Sequence, residues 1–135
     1  SYAIGICSPT EIDEMTILWA SVEAMHRAVG GLKVVPEHIL VDGNRFRPYP
    51  NIEHTCIVGG DAKYLSIAAA SVLAKTYRDE YMAKIHAEYP DYNWKKNKGY
   101  PTKEHKAAIK EFGITPYHRM SFNLIDRQID ILFDK

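Results

Sequence analysis

Ile12, Met15, Leu18, Trp19, Val22, Met25 and Val29 recur every three or four residues, the spacing that gathers apolar side chains along one side of a helix. Ser8-Pro9-Thr10-Glu11 stands in front of them as a capping box with proline at the first helical position, and Gly30-Gly31 closes the run. This predicts a helix whose stripe is core. Upstream, Tyr2 to Cys7 alternates apolar and small residues and predicts a short strand that Ser8 ends. Downstream, "HILVDGNRF" (His38 to Phe46) carries three branched apolar residues straight into Asp42, which predicts a strand stopping on a carboxylate. A loop with Pro48 and Pro50 leads to a second strand, His54 to Val58, closed by Gly59-Gly60-Asp61. From Tyr64 to Ala87 the pattern predicts the longest helix. Its first half, "LSIAAASVLAK", is small and apolar nearly all round and is expected to be largely covered. Pro90 stops it, "DYNWKKNKGYPT" reads as a loop, and Thr102 caps a helix through Phe112 with Gly113 as its end. Thr115-Pro116 repeats the start signal, and Phe122 to Phe133 reads as a last amphipathic helix. Strand, helix, strand, strand and then helices is an α/β pattern.

Composition changes this picture little. The chain has 135 residues, a formal net charge of zero and 46% hydrophobic residues, the profile of a single globular domain. No window approaches the ~18 consecutive apolar residues of a membrane span, and no secretory signal pattern opens the chain. A cytoplasmic protein is expected. Cys7 and Cys56, the only two cysteines, lie in apolar runs and read as buried reduced thiols.

Charge is unevenly placed. Ser1 to Gly30 holds four acids (Glu11, Asp13, Glu14, Glu23) against Arg27. Tyr92 to Arg119 holds seven bases (Lys95, Lys96, Lys98, Lys103, Lys106, Lys110, Arg119) against Glu104 and Glu111. Such an excess suits either a polyanion footprint or a solvated helix face.

Asp42 carries the most chemistry. Asp-Gly between apolar runs is a hairpin signal, yet the next apolar run comes only after two prolines, so a two-residue turn is not what this aspartate serves. It is then either a turn carboxylate or a ligand at the carboxyl end of a strand, where open α/β sheets collect their ligands. Asp61 repeats the arrangement beyond two glycines, with a helix cap as the plainer alternative. Two strands delivering carboxylates to one end of a sheet can hold a divalent cation through hard oxygen ligands. Trp94-Lys95-Lys96-Asn97-Lys98-Gly99-Tyr100 interleaves aromatic rings with lysines, which suits a nucleic-acid backbone or an exposed loop with its aromatics turned inward. His118-Arg119-Met120-Ser121-Phe122 adds a base and a candidate phosphate contact. "GGDAKYLS" lacks the order of a phosphate-binding P-loop, His54 and Cys56 form no thiol and base pair, and no zinc-ligand spacing occurs.

"LVDGNRF", "GGDAKYLSIAAASVLAKTYRD", "NKGYPTKEH" and "TPYHRMSF" resemble, in this order, four successive motif regions of bacterial ribonuclease HII, across essentially the whole chain. The resemblance implies a ribonuclease H-like fold, a mixed five-stranded sheet flanked by helices with a helical C-terminal extension. Residues 1–135 would then be one partial domain, with 91–135 as the loop and helical extension that contacts substrate. It implies hydrolysis of the RNA strand in RNA–DNA hybrids and incision at single ribonucleotides embedded in duplex DNA, with Mg²⁺ or Mn²⁺. Asp42 and Asp61 resemble two of the four metal-binding carboxylates. The implied chemistry is in-line displacement at phosphorus, one cation activating water and another, about 3.5–4 Å away, stabilising the leaving oxygen. Tyr100 resembles the tyrosine that stacks on the sugar at the RNA-to-DNA junction. Within the same motifs, Asn44, Ser66, Lys75, Lys98 and Arg119 are expected to bind substrate, and His118 is a further candidate.

Two departures stand out. The family usually has lysine just before the second aspartate, where this chain has Gly60. The family's first strand, with an Asp-Glu pair and a Gly-Arg-Gly loop, has no counterpart, and the chain starts at what resembles the third strand. These residues alone are therefore expected to be inactive and to seek the missing segment, the complete protein being monomeric. The rival reading is a non-catalytic nucleic-acid-binding α/β fragment. A third makes both aspartates mere caps and turns.

Overall fold

Residues 1–120 are described by a computed structural model, and the helix expected at Phe122 to Phe133 lies outside them. They fall into two compact units, Ser1–Lys75 and the residues from Thr76 onward. The described residues form an α/β arrangement of six α-helices and one two-stranded sheet.

In the first unit, β1 (His38–Asp42) and β2 (Glu53–Ile57) pair in parallel, in register from His38 opposite Glu53 to Asp42 opposite Ile57. The branched residues of both runs favour the pleated backbone, and Val41 is buried. The long connection rejects a hairpin, as its prolines foretold, and the parallel pairing brings both carboxyl ends level. The Gly43 N–H donates to the Ile57 carbonyl at 2.9 Å, extending the ladder one residue past Asp42.

The capping box forms in full. Ser8 accepts from the Glu11 N–H at 3.2 Å, and Glu11 accepts from the Ser8 N–H at 2.7 Å. The single helix expected there is two, α1 (Pro9–Met15) and α2 (Ile17–Gly30). Thr16 separates them with φ 74°, a backbone conformation a β-branched residue rarely adopts. The stripe is also only partly core: Val22 is buried, whereas Leu18 and Trp19 are exposed.

The strand expected at Tyr2 to Cys7 does not form among the described residues. The segment lies on α2 instead. A Cβ at Gly5 would overlap the Ala24 carbonyl oxygen, the Cys7 thiol donates to the Ala20 carbonyl at 3.3 Å, and Arg27 donates to the Ile6 carbonyl at 2.7 Å. Alternation produced the strand expectation, but contact with a helix satisfies the same pattern. Both cysteines are free and half-buried, and burial pushes the Cys7 thiol up.

The Gly59-Gly60-Asp61 stretch opens α3 (Gly60–Lys63), and α4 (Leu65–Glu88) follows. The expected cover over the first half of α4 is absent among the described residues: Ile67 is buried, but Leu65 is 87% exposed and Val72 65%. A pair of five-residue strands offers too little surface for a helix this long.

The second unit has a core of Met82, Ile85, Tyr92, Trp94, Ala108 and Ile109. The stretch expected as a loop winds into a 3-10 turn (Pro90–Tyr92) and α5 (Trp94–Asn97), because Tyr92 and Trp94 turn inward and stack at 5.1 Å. Thr102 caps α6 (Lys103–Phe112) by accepting from the His105 N–H, and Gly113 ends it, as the sequence indicates. Thr115 starts no helix within the described residues. Its N–H donates to His118 Nδ1 at 2.9 Å, and its hydroxyl accepts from the Tyr117 N–H at 3.2 Å, which makes a turn.

Candidate metal-binding carboxylates and basic loop

Asp42 ends β1 and is exposed, next to buried Val41 on the other side of the strand. Its Oδ1 accepts the Gly60 N–H at 3.0 Å, so the carboxylate is tied to the residue that precedes Asp61. Gly59, with φ 66°, makes this approach possible by turning the chain through the left-handed region before α3. A Cβ on Gly60 would lie 2.7 Å from Ile67 Cδ1 and 3.6 Å from Asp42 Oδ1. The main-chain N–H of Gly60 thus meets Asp42 at the position where the resemblance implied a lysine.

Asp61 is exposed in the first turn of α3, and its Oδ1 accepts the Ala62 N–H at 3.0 Å. It is not the cap residue, a position that Gly59 occupies. Both carboxylates therefore have one oxygen fixed by a main-chain N–H, and the Asp42–Gly60 bond links the end of β1 to the start of α3. Among the described residues no group of three or more His, Cys, Asp or Glu side chains is arranged to hold a metal. The pair fits Mg²⁺ or Mn²⁺ by its hard oxygen donors and its exposure, since Mg²⁺ retains several waters and needs only one or two carboxylates from protein.

Asn44, Ser66 and Lys75, also of the first unit, are all exposed. Sequence reading passed over Lys63, whose Nζ donates to the Val58 carbonyl at 3.0 Å, beside the end of β2. Its position two residues after Asp61 was the available signal.

In the second unit, Tyr100 is 71% exposed and follows Gly99, whose φ is 84°. Lys98 lies 3.8 Å from Asp79, and its carbonyl accepts from Arg78 at 3.3 Å. Trp94 is 2% exposed and unavailable for stacking on a base, the inward-turned alternative of the two that the sequence left open for this stretch. Lys95, Lys96, Lys103, Lys106 and Lys110 are exposed, and Arg119 is half-buried.

His118 lies inside the core, ringed by Tyr92 at 5.0 Å, Trp94 at 5.2 Å and His105 at 5.3 Å. Its Nδ1 accepts from Thr115, so the neutral ring carries its proton on Nε2, which has no hydrogen-bond partner among the described residues. Burial first, and then neighbouring His105, push it down to about 4. Burial also lowers His105, against the raising effect of its bond to the Tyr92 carbonyl. A general base works best with a pKa near the operating pH, and His118 is held far below it.

Comparison with known proteins bears on these positions. The family model for ribonuclease HII matches residues 2–125. The chain is 63% identical over 134 residues to the ribonuclease HII of Bacteroides thetaiotaomicron, covering 98% of this chain and 67% of that protein. It is 64% identical over 133 residues to that of Christiangramia forsetii, with 98% and 67% covered. Against that of Porphyromonas gingivalis it is 58% identical over 121 residues, covering 90% of this chain and 60% of the relative.

Proposed function

The chain belongs to the ribonuclease HII family of endoribonucleases, and from that membership we propose a metal-dependent endonuclease acting on the RNA strand of RNA–DNA hybrids and at single ribonucleotides in duplex DNA. The observation that carries the metal dependence is the bond from the Gly60 N–H to Asp42 at 3.0 Å, which brings the end of β1 to the residue before Asp61. Asp42 and Asp61 would hold Mg²⁺ or Mn²⁺. Such a cation supplies a polarised phosphoryl oxygen and an activated water. The family's five-stranded mixed sheet is the frame in which we place β1 and β2, and residues 91–135 are the extension that contacts substrate.

The chain's own residues orient the reaction. Gly60 and Ala62 each fix one carboxylate oxygen, leaving the other oxygen of each aspartate to the cation. In the first unit, Asn44, Ser66 and Lys75 offer exposed polar groups to the sugar-phosphate chain. In the second, Tyr100 presents a ring to a sugar whose 2′-hydroxyl separates RNA from DNA. Lys98 and Arg119 join the exposed lysines in neutralising phosphates, a contact that positions without reading sequence. His118 enters this reading as a core residue. Among the described residues no helix is long and apolar enough to cross a membrane, and we place the protein in the cytoplasm.

The test is a Mn²⁺ titration followed by melting temperature. Ligand binding to the folded state alone raises stability with concentration, so the native chain is expected to melt higher as Mn²⁺ rises and Asp42→Asn to lose that response. Melting indifferent to Mn²⁺ would sink the metal-dependent reading. If salt-sensitive hybrid binding persisted alongside that indifference, the non-catalytic nucleic-acid-binding reading would replace it.

A further inference from the structure

We propose that the loop from Gly43 to Ile52 is a second contact for the nucleic-acid backbone, with Arg45 and Arg47 as its phosphate-binding side chains. The inference rests on the function proposed above. The loop leaves β1 directly after Asp42 and contains two arginines and no acidic residue. It is fastened rather than loose. His26 Nε2 lies 2.7 Å from the Arg47 carbonyl, and the Phe46 ring sits between His26 at 5.0 Å and His54 at 4.8 Å.

From this anchored backbone both arginines reach solvent. The Arg47 guanidinium lies over the Trp19 ring, 5.2 Å from its centroid, and Trp19 is itself 38% exposed. A cation over a ring face is held by the ring's quadrupole, while the exposed guanidinium keeps N–H donors for an anionic partner. Holding the side chain in place before binding also reduces the entropy lost on contact.

Charge bookkeeping within the unit points the same way. Arg27 is occupied by Glu11 at 2.6 Å and Glu23 at 3.1 Å, whereas Arg45 and Arg47 form no salt bridge among the described residues. One unneutralised guanidinium over an exposed indole, with a second two residues earlier on the same loop, matches a polyanion with stackable rings, which describes a polynucleotide better than an acidic peptide. Their place in the chain, three and five residues past Asp42, puts them on the loop leading away from the candidate metal ligand.

The experiment measures affinity of the chain for a fluorescent RNA–DNA hybrid by anisotropy in EDTA across a potassium chloride series. The Arg45→Ala/Arg47→Ala variant should bind more weakly at low salt, with the slope of log K against log salt shallower by roughly one per arginine. Lysine at both positions should keep the slope, and Trp19→Ala should weaken binding only while Arg47 is present. Hybrid binding with an unaltered slope in the double alanine variant overturns this inference alone. Equal weakening toward polyglutamate overturns it too, making the loop a general anion sink. No binding of the hybrid by the unmodified chain removes the proposed function together with it.

Discussion

The two tryptophans of the chain sit one in each unit and in opposite surroundings. Trp94 is 2% exposed, stacked on Tyr92 and edged by Tyr89 at 6.3 Å and Tyr117 at 6.0 Å. Trp19 is 38% exposed, with the Arg47 guanidinium over its ring. The contrast extends beyond the rings. The second unit closes its core with residues near one another in sequence and seals it with Tyr92 donating to the Gly113 carbonyl at 2.7 Å and Asn97 donating to the Tyr92 carbonyl at 2.7 Å. The first unit, which carries Asp42 and Asp61, leaves Val34, Val35 and Val58 between 67% and 77% exposed. Aromatic packing is self-sufficient in one place, while the candidate metal ligands lie on lightly covered elements in the other.

The comparison breaks most readily at Trp94. Trp94→Ala should cost about 3–5 kcal/mol, the range for truncating a buried aromatic, read from the denaturant midpoint by circular dichroism. A loss below ~1 kcal/mol would mean that the second core is as loosely held as the first unit's surface.

Acid should sharpen it next. The folded state holds His118 down to about 4 against an ordinary 6.5, so between these values the unfolded chain binds the proton that the folded chain refuses. Stability from this group is therefore complete above pH 6.5 and lost as pH falls toward 4, at most on the order of 3 kcal/mol in total. Urea midpoints across that window, with Trp94 emission followed in a Trp19→Phe background, should show the loss, and His118→Gln should flatten it. The first unit responds lower. Hydrogen bonds from Arg27 and then from the Ser8 main chain hold Glu11 down to about 2 against 4.5, so its contribution is present above pH 4.5 and fades only toward pH 2.

The smallest expected effect is at the first unit's cap. Ser8→Ala should cost ~1 kcal/mol, typical for a lost N-cap, measured by the same denaturation. A cost near that of Trp94→Ala would erase the difference in robustness between the two regions.

Features written in neighbouring residues were legible beforehand. The Ser8 and Thr102 caps, the stop of β1 on Asp42 and the start of α6 all follow from local chemistry, and the structure has them. The absence of a two-residue hairpin turn after Asp42 followed from the length of the loop and its prolines, and the strands pair in parallel. What escaped depends on partners far off in the chain. Nothing around Tyr2 to Cys7 shows that Gly5 will meet Ala24, and nothing near Arg47 shows Trp19. Trp94 among three lysines left an outward and an inward ring equally open, and only Tyr92, His105 and His118, which enclose it, decide for the inward one. Thr115 carries a sound helix signal, overruled because the His118 ring takes its N–H. The carboxylates were legible as a pair at strand ends, whereas the bond that fixes one of them comes from a glycine, a residue without a side chain to advertise it.

Gly5 has one more consequence. Because its Cα hydrogen is all that separates the leading segment from the Ala24 and Ala28 main chain, every one of the nineteen alternatives should be rejected there. Ile6, next door and 48% exposed, should accept most of them. A saturation scan read by soluble yield would therefore set a forbidden codon at Gly5 directly beside a permissive one at Ile6.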